Sequence, residues 1–326
     1  MTGISNRIRK WIARMARQYQ QDRNFSIFYA LWRIEEEFGG RIGRTKIAGK
    51  ARNKRREYIL NYLSNTLVDV ICSYQREAEH GTFEENPPVW TAWLDGENSA
   101  PDLVKQCLKS IRKAAGNHPV HFIDQSNLED YLEIPDYIYE KLKSGQMKKA
   151  HFMDYVRICL LQKYGGLWLD ATIFCTREFP EEIFQKSFTT CKGPVHKSDY
   201  ISDYRWTTFV LGGFKENTIF NFLKGAFEKY WRDNDWDIDY LMFDYMIYLG
   251  YTKIPFIAEA IDLIPENNLQ RDDLQRAMNR RDTADHFINY FQQNTYLYKL
   301  SWREKFLTTA ADGSKTVYQA LLDYPG

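Results

Sequence analysis

Residues 149–172 constrain the fold more than any other stretch of this 326-residue chain. A helical pattern over 149–164 runs into Tyr164-Gly165-Gly166, then into the apolar run Leu167-Trp168-Leu169, and stops on a lone acid, Asp170. Phe152, Val156, Cys159 and Leu160 recur at helical spacing and mark the buried face of that helix. The apolar run reads as a short buried strand. Asp170 then projects from its carboxyl end, the edge at which open parallel sheets bind ligands.

The same alternation continues on both sides. Strands are expected over 89–94, 120–123, 207–211 (ended by Gly212-Gly213) and 295–300, with helices over 101–114, 135–144, 217–231 and 240–251. Residues 128–131 form a short element, and 272–281 a polar loop or helix. Such βαβ alternation implies an α/β fold, a mostly parallel sheet flanked by helices. Upstream lie helical patterns over 4–19, 25–38 and 58–74, with a basic, glycine-punctuated stretch at 41–56. Pro87-Pro88 blocks any helix across the linker 84–88. The expected organisation is a basic helical extension, residues 1–85, followed by an α/β domain, residues 86–326.

Charge supports two parts. Residues 1–56 hold 15 Lys and Arg against 4 Asp and Glu, while the whole chain nets +1. The five cysteines form no Cys-x-x-Cys pair, which argues against a zinc site or a disulfide scaffold and fits a reducing cytoplasm. No apolar run approaches the roughly 20 residues of a membrane span.

The candidate chemistry centres on carboxylates. Asp170 can ligate Mg²⁺ or Mn²⁺, which take oxygen ligands and share them with substrate phosphates, or it can cap the following turn. Asp154 and Arg157 stand at i and i+3 and face the same way. They form either a surface ion pair or, because their helix leads straight to Asp170, part of one site. Asp244 and Asp239 are candidate bases for an acceptor hydroxyl, or helix caps. His151, one turn from Asp154, either lines the site or is a structural histidine.

His151-Phe152-Met153-Asp154-Tyr155-Val156-Arg157, followed by Tyr164-Gly165-Gly166-Leu167-Trp168-Leu169-Asp170-Ala171-Thr172, resembles the capsular polysaccharide synthesis protein family. These are relatives of the DXD-containing glycosyltransferases of family 32. The likeness spans about residues 87–305, from Val89-Trp90-Thr91-Ala92-Trp93-Leu94 to Lys299-Leu300-Ser301-Trp302. The resemblance implies a GT-A-like fold and transfer of a sugar from a nucleotide donor, UDP-linked, with retention. It implies that Asp154 and Arg157 contact donor sugar and phosphate, and that Asp170 touches sugar or metal. It further implies that Trp93 stacks on the base, that Asp124 reads base or ribose, and that Ser301 and Trp302 close over the diphosphate. Ala92, Leu169 and Ala171 belong to the same nucleotide-sugar set as chain neighbours. A divalent metal would rest on Asp170 and Thr172, the latter standing where the DXD has its second acid.

The expected partners are a nucleotide sugar and a lipid-linked or oligosaccharide acceptor of a capsule, with no nucleic acid. Residues 4–19 set Ile4, Ile8, Trp11, Ile12, Met15 and Tyr19 against Arg7, Arg9, Lys10, Arg14 and Arg17. This basic amphipathic helix either lies on the inner face of the plasma membrane or packs on the catalytic domain; a nucleic-acid arm is the remaining reading. Two further functions bear on Asp170. A phosphatase of the haloacid-dehalogenase type needs a second acid where Thr172 stands. A non-catalytic nucleotide-sugar-binding scaffold of the capsule machinery is favoured by that same threonine.

Overall fold

The computed structural model describes residues 2–78, 80–283 and 286–325, with side chains from residue 8 onward. Four helices come first: α1 (Thr2–Asp22), α2 (Ile27–Arg41), α3 (Thr45–Thr66) and α4 (Val68–Tyr74). The α/β part follows with β1 (Val89–Ala92), α5 (Asp102–Ala114), β2 (Val120–Ile123), α6 (Leu128–Tyr131), α7 (Asp136–Ser144), α8 (Lys149–Tyr164) and β3 (Gly166–Leu169). Then come β4 (Ile173–Cys175), β5 (Phe188–Thr190), β6 (Val210–Gly213), α9 (Thr218–Asp233), α10 (Met242–Lys253) and α11 (Pro255–Asp262). Helix α12 (Asp273–Ala277), β7 (Leu297–Lys299) and α13 (Val317–Asp323) complete the described elements.

The main sheet has the order β2-β1-β3-β6-β5. β1 pairs in parallel with β2 and β3, while β6 runs antiparallel to both β3 and β5. Four of the five strands therefore point one way, as the βαβ alternation implies. Helices pack around this sheet, a GT-A-like α/β arrangement. β4 and β7 form a separate antiparallel pair.

The glycine pair makes the junction between α8 and β3 possible. Gly165 and Gly166 have φ of +66° and +90°, which side chains with a Cβ rarely adopt. A Cβ on Gly166 would sit 2.0 Å from the Pro88 carbonyl oxygen. The second pair, Gly212-Gly213, ends its strand as expected, but as part of it. It lies inside β6, with Leu167 opposite Gly212 and Gly166 opposite Gly213. Residues 207–209 precede that strand instead, and β1 stops at Ala92, short of Trp93 and Leu94.

The N-terminal helices also depart from expectation. Helix α3 begins inside the basic stretch, because Arg52 and Arg55 reach back to Glu36 on α2. Ala48 packs on Gly39, where a Cβ would lie 3.2 Å from the Ala48 nitrogen. A break at Leu67 divides the 58–74 pattern in two. Tyr29, Ile59, Leu63, Leu67 and Ile71 share one buried cluster with Trp90, Phe227, Trp231 and Met246. The division expected at residue 85 thus falls within a single core. On α1, Met15 is buried and the Trp11 ring stacks under the Arg41 guanidinium at 4.8 Å, while Ile8 and Ile12 are about half exposed. Ile4 and Arg7 lie outside the described side chains. Among the described residues, no helix is long and apolar enough to cross a membrane.

Candidate active site at the carboxyl edge of the sheet

Strand direction decides what gathers at one edge. β1 and β3 end there on Trp93 and Asp170, and antiparallel β6 begins there after Thr208 and Phe209. The Asp170 N–H donates to the Phe209 carbonyl at 3.0 Å, and the turn closes with Ile173 N–H on the Asp170 carbonyl at 2.9 Å. β4 then pairs Ile173 with Lys299 of β7. That register carries Lys299, Leu300 and Ser301 back to the Asp170-Ala171-Thr172 turn.

A cavity of about 560 Å³ opens over this edge, within the range of small-molecule sites. Its lining includes Ala92, Trp93, Asp154, Arg157, Asp170, Ala171, Thr172, Asp244, Ser301 and Trp302. The Trp93 and Trp302 rings meet edge to face, with centroids 5.5 Å apart. Two expected residues do not line it. Leu169 is fully buried beneath the sheet edge. Asp124 accepts through Oδ1 from the Ser126 N–H (2.8 Å) and hydroxyl (2.6 Å), an Asx turn after β2.

Arg157 is the hub. Its Nη2 donates to Asp170 Oδ1 at 3.2 Å and lies 3.4 Å from Asp154 Oδ1. Its Nη1 donates to the Thr208 carbonyl. The guanidinium also lies 5.0 Å from the Trp168 ring centroid and 5.6 Å from that of Phe243. Only 7% of the side chain is exposed, so the planar fork is held rigidly. Asp170 also accepts from Trp168 Nε1 at 3.0 Å and from Lys299 Nζ at 2.7 Å. Desolvation pulls its carboxyl upward, but the Lys299 ammonium and the Arg157 guanidinium outweigh that and hold it below the usual carboxylate range.

Behind this set, buried His151 stands 3.6 Å from Asp154 and 3.5 Å from Asp237, at ion-pair rather than good hydrogen-bond distance. Burial disfavours its charge, yet the two carboxylates push its pKa up to about 9. His151 Nδ1 thus faces Asp154 Oδ2, while Arg157 Nη2 faces Oδ1 of the same carboxylate. Asp244 forms part of the far wall and accepts from Trp206 Nε1 at 3.1 Å. Desolvation, with Asp154 nearby, pushes its carboxyl up to about 7. Asp239 is not at the cavity. It accepts from Arg55 and lies 3.4 Å from Arg33 Nη2, in the N-terminal core.

The residues present do not fit the divalent cation expected on Asp170 and Thr172. Mg²⁺ at a phosphate site rests on one or two carboxylates and completes its shell with substrate phosphates and waters, so the question is whether Asp170 has an oxygen to give. Here Asp170 Oδ1 serves Arg157 and Trp168, Oδ2 serves Lys299, and Thr172 Oγ1 also accepts from Lys299, at 2.8 Å. Among the described residues, no group of three or more His, Cys, Asp or Glu could hold a metal. Lys299 is the residue that sequence reasoning left without a role. Its signals were its place in the Lys299-Leu300-Ser301-Trp302 stretch of the resemblance and its position at the end of a strand.

A mostly parallel sheet that delivers acids, an arginine and two tryptophans to one cavity at its carboxyl edge is of glycosyltransferase-like type. The family described as capsular polysaccharide synthesis protein matches residues 41–321, and the chain belongs to it. The match begins well upstream of the residue-87 boundary expected from motifs. The chain is also similar to the O-glycosyltransferase braB of Annulohypoxylon truncatum, at 26% identity over 136 residues. That stretch covers 39% of this chain and 32% of the relative, so the chain spans about a third of the curated protein it matches.

Proposed function

We propose that the chain transfers a glycosyl group from a UDP-linked sugar, with retention, to a growing capsular or other surface polysaccharide. The observation that carries this reading is the cationic pair Arg157 and Lys299 on Asp170, under a cavity walled by Trp93 and Trp302. In the reaction the bond from the anomeric carbon to the β-phosphate oxygen breaks, and its electron pair stays on that oxygen. The acceptor oxygen bonds to the anomeric carbon, and its proton passes to the departing diphosphate. The protein's task is to stabilise the charge developing on the phosphate oxygens. Arg157 supplies a fixed fork for it. Asp154, clamped between Arg157 and His151, is oriented to accept from sugar hydroxyls. The tryptophans offer flat faces to base or sugar.

A second reading rests on Asp244. A carboxyl poised near pH 7 suits a general base, and such a base would serve a single inverting displacement. The anomeric configuration of the product by NMR separates the two. Screening UDP-sugars for release of UDP tests the enzyme reading itself. Arg157→Ala and Asp170→Ala are each expected to lose nearly all turnover. No release from any donor, with donor still bound, would favour the non-catalytic scaffold.

The finer location belongs to the same proposal: peripheral attachment to the inner face of the plasma membrane. Ile8, Ile12, Ile27, Phe28, Leu31 and Phe38 remain exposed on α1 and α2, on a segment whose exposed cations include Arg9, Lys10, Arg17 and Lys46. Apolar side chains among cations suit an anionic lipid surface. The full chain should sediment with phosphatidylserine vesicles, and less so after Phe28→Ser with Leu31→Ser. Equal sedimentation by that variant would remove the attachment.

A further inference from the structure

Lys299 occupies the place where a metal-dependent transferase would hold its cation. Its Nζ donates to Asp170 Oδ2 at 2.7 Å and to Thr172 Oγ1 at 2.8 Å, the two side chains from which metal ligation was expected. The ammonium also lies 5.1 Å from the Phe209 ring centroid. An ammonium has three donors. Asp170 and Thr172 take two, which leaves one N–H for a ligand. The side chain is 28% exposed and lines the cavity. Its position is fixed by backbone, since β7 pairs with β4 immediately after the Asp170-Ala171-Thr172 turn, and the Leu300 N–H donates to the Thr172 carbonyl at 2.9 Å.

The carboxylate expected to hold a cation already faces two of them. Lys299 and Arg157 both contact Asp170, and Asp154, 3.4 Å from Arg157, brings the four groups to neutrality. A divalent cation would have to displace Lys299 from both oxygens and then sit beside it, where like charges repel. A diphosphate meets the reverse situation: two cations from different strands and helices, each anchored on the same carboxylate, with the ammonium free to donate.

From this we infer that Lys299 takes the role of the divalent cation, so that the chain binds a nucleoside diphosphate and stabilises it as leaving group without metal. The inference rests on the nucleotide-sugar reading above. Lys299 donates to the β-phosphate oxygen as the glycosyl bond breaks, and Arg157 holds the neighbouring oxygens. The acceptor proton still leaves with the diphosphate, so the lysine remains protonated throughout.

The test is calorimetric titration of the full chain with UDP, GDP and CDP, in excess EDTA and in Mn²⁺. The wild type should bind at least one of them with Kd in EDTA within about twofold of that in Mn²⁺, a difference under about 0.4 kcal/mol. Lys299→Gln keeps a donor for Asp170 and Thr172 but loses the charge. It should bind roughly 10- to 100-fold more weakly in EDTA, and regain affinity in Mn²⁺ because the ammonium that repels a cation at Asp170 is gone. Lys299→Arg, which retains the charge, should stay close to wild type and guards against a folding defect in the glutamine variant. Binding by the wild type only in Mn²⁺ would overturn the inference and leave the nucleotide-sugar reading standing. Undiminished affinity of Lys299→Gln in EDTA would do the same. Failure of every diphosphate to bind under both conditions would bring down the nucleotide-sugar reading, and the inference with it.

Discussion

Replacing Asp170 by Asn separates charge from shape at the centre of the site. The carboxamide has the same size and keeps one acceptor oxygen, but turns an amide toward one of two cations. Those cations stand 2.7 Å (Lys299) and 3.2 Å (Arg157) from the carboxylate. Unit charges about 4 Å apart attract by ~4 kcal/mol at the effective dielectric of a protein surface. The Asp170 side chain is 27% exposed, so solvent screens part of this, and the freed Lys299 relaxes toward the cavity. A loss of roughly 1–3 kcal/mol in stability at pH 7 is the expected result, a fall of a few degrees in Tm. The sign of its pH dependence follows from the depressed carboxyl of Asp170. Such a group stabilises the fold above its unfolded value of about 4, and the contribution is lost as pH falls through its folded value. Urea denaturation of wild type and Asp170→Asn between pH 7 and pH 3 should therefore converge at the acid end. A constant gap would mean that the loss came from packing. At the same time the site gains one net positive charge. Asp170→Asn should bind UDP in EDTA at least as tightly as the wild type while turnover collapses. A tenfold loss of UDP affinity in a folded variant would refute the electrostatic account and point to Asp170 as the diphosphate's own anchor.

Asp244→Asn should flatten any rise in kcat through pH 7 that the wild type shows. Because burial raises this carboxyl to about 7, its contribution to stability is present below about pH 4 and lost as pH rises through 7, so the variant should be the more stable at pH 8, by on the order of 1 kcal/mol after allowance for partial exposure. Equal denaturation midpoints at pH 8 would contradict this. Gly166→Ala must accommodate a Cβ 2.0 Å from the Pro88 carbonyl at φ +90°, a cost of several kcal/mol, and should lose soluble yield or its cooperative urea transition. A chain starting at residue 86 should fail to fold, since it leaves Phe227, Trp231 and Met246 without Ile59, Leu63 and Ile71; a sharp thermal transition from that fragment would restore an independent domain.

The sequence announced the site at residues whose spacing is local. Asp154 and Arg157 share a helix face, and Gly165-Gly166 separates that helix from the strand ending at Asp170. Nothing non-local was needed to bring those three together. Lys299 was hidden because its neighbour is 129 positions away and reached only through the register of a three-residue strand pair. Strands this short carry almost no periodicity. Gly212-Gly213 marked the end of β6 correctly, but not that the pair is itself paired in the sheet, where it lets β6 approach the glycine at the start of β3. Asp124 stands at the expected strand end, but its Oδ1 closes a local Asx turn with Ser126 and the residue does not line the cavity.

The charge asymmetry of the chain also takes on another meaning. An N-terminal excess of cations reads most simply as a separate surface with a separate task. Several of those cations instead face inward. Arg33 pairs with Asp22 and Asp239, and Arg55 with Glu36 and Asp239. Tyr29 donates to the Ile238 carbonyl at 2.6 Å. The segment they grip, residues 237–241, presents Asp237 to His151 and Tyr240 and Leu241 to the cavity. His151 in turn holds Asp154, Asp154 faces Arg157, and Arg157 meets Asp170 beside Lys299. These contacts run from the first helices through residues 237–241 and His151 to Asp154. The consequence separates position from stability: Arg55→Met, which keeps volume and removes charge, should lower Tm on either account, but should also raise KM for donor in assays well below that Tm, whereas a merely structural role would move Tm alone.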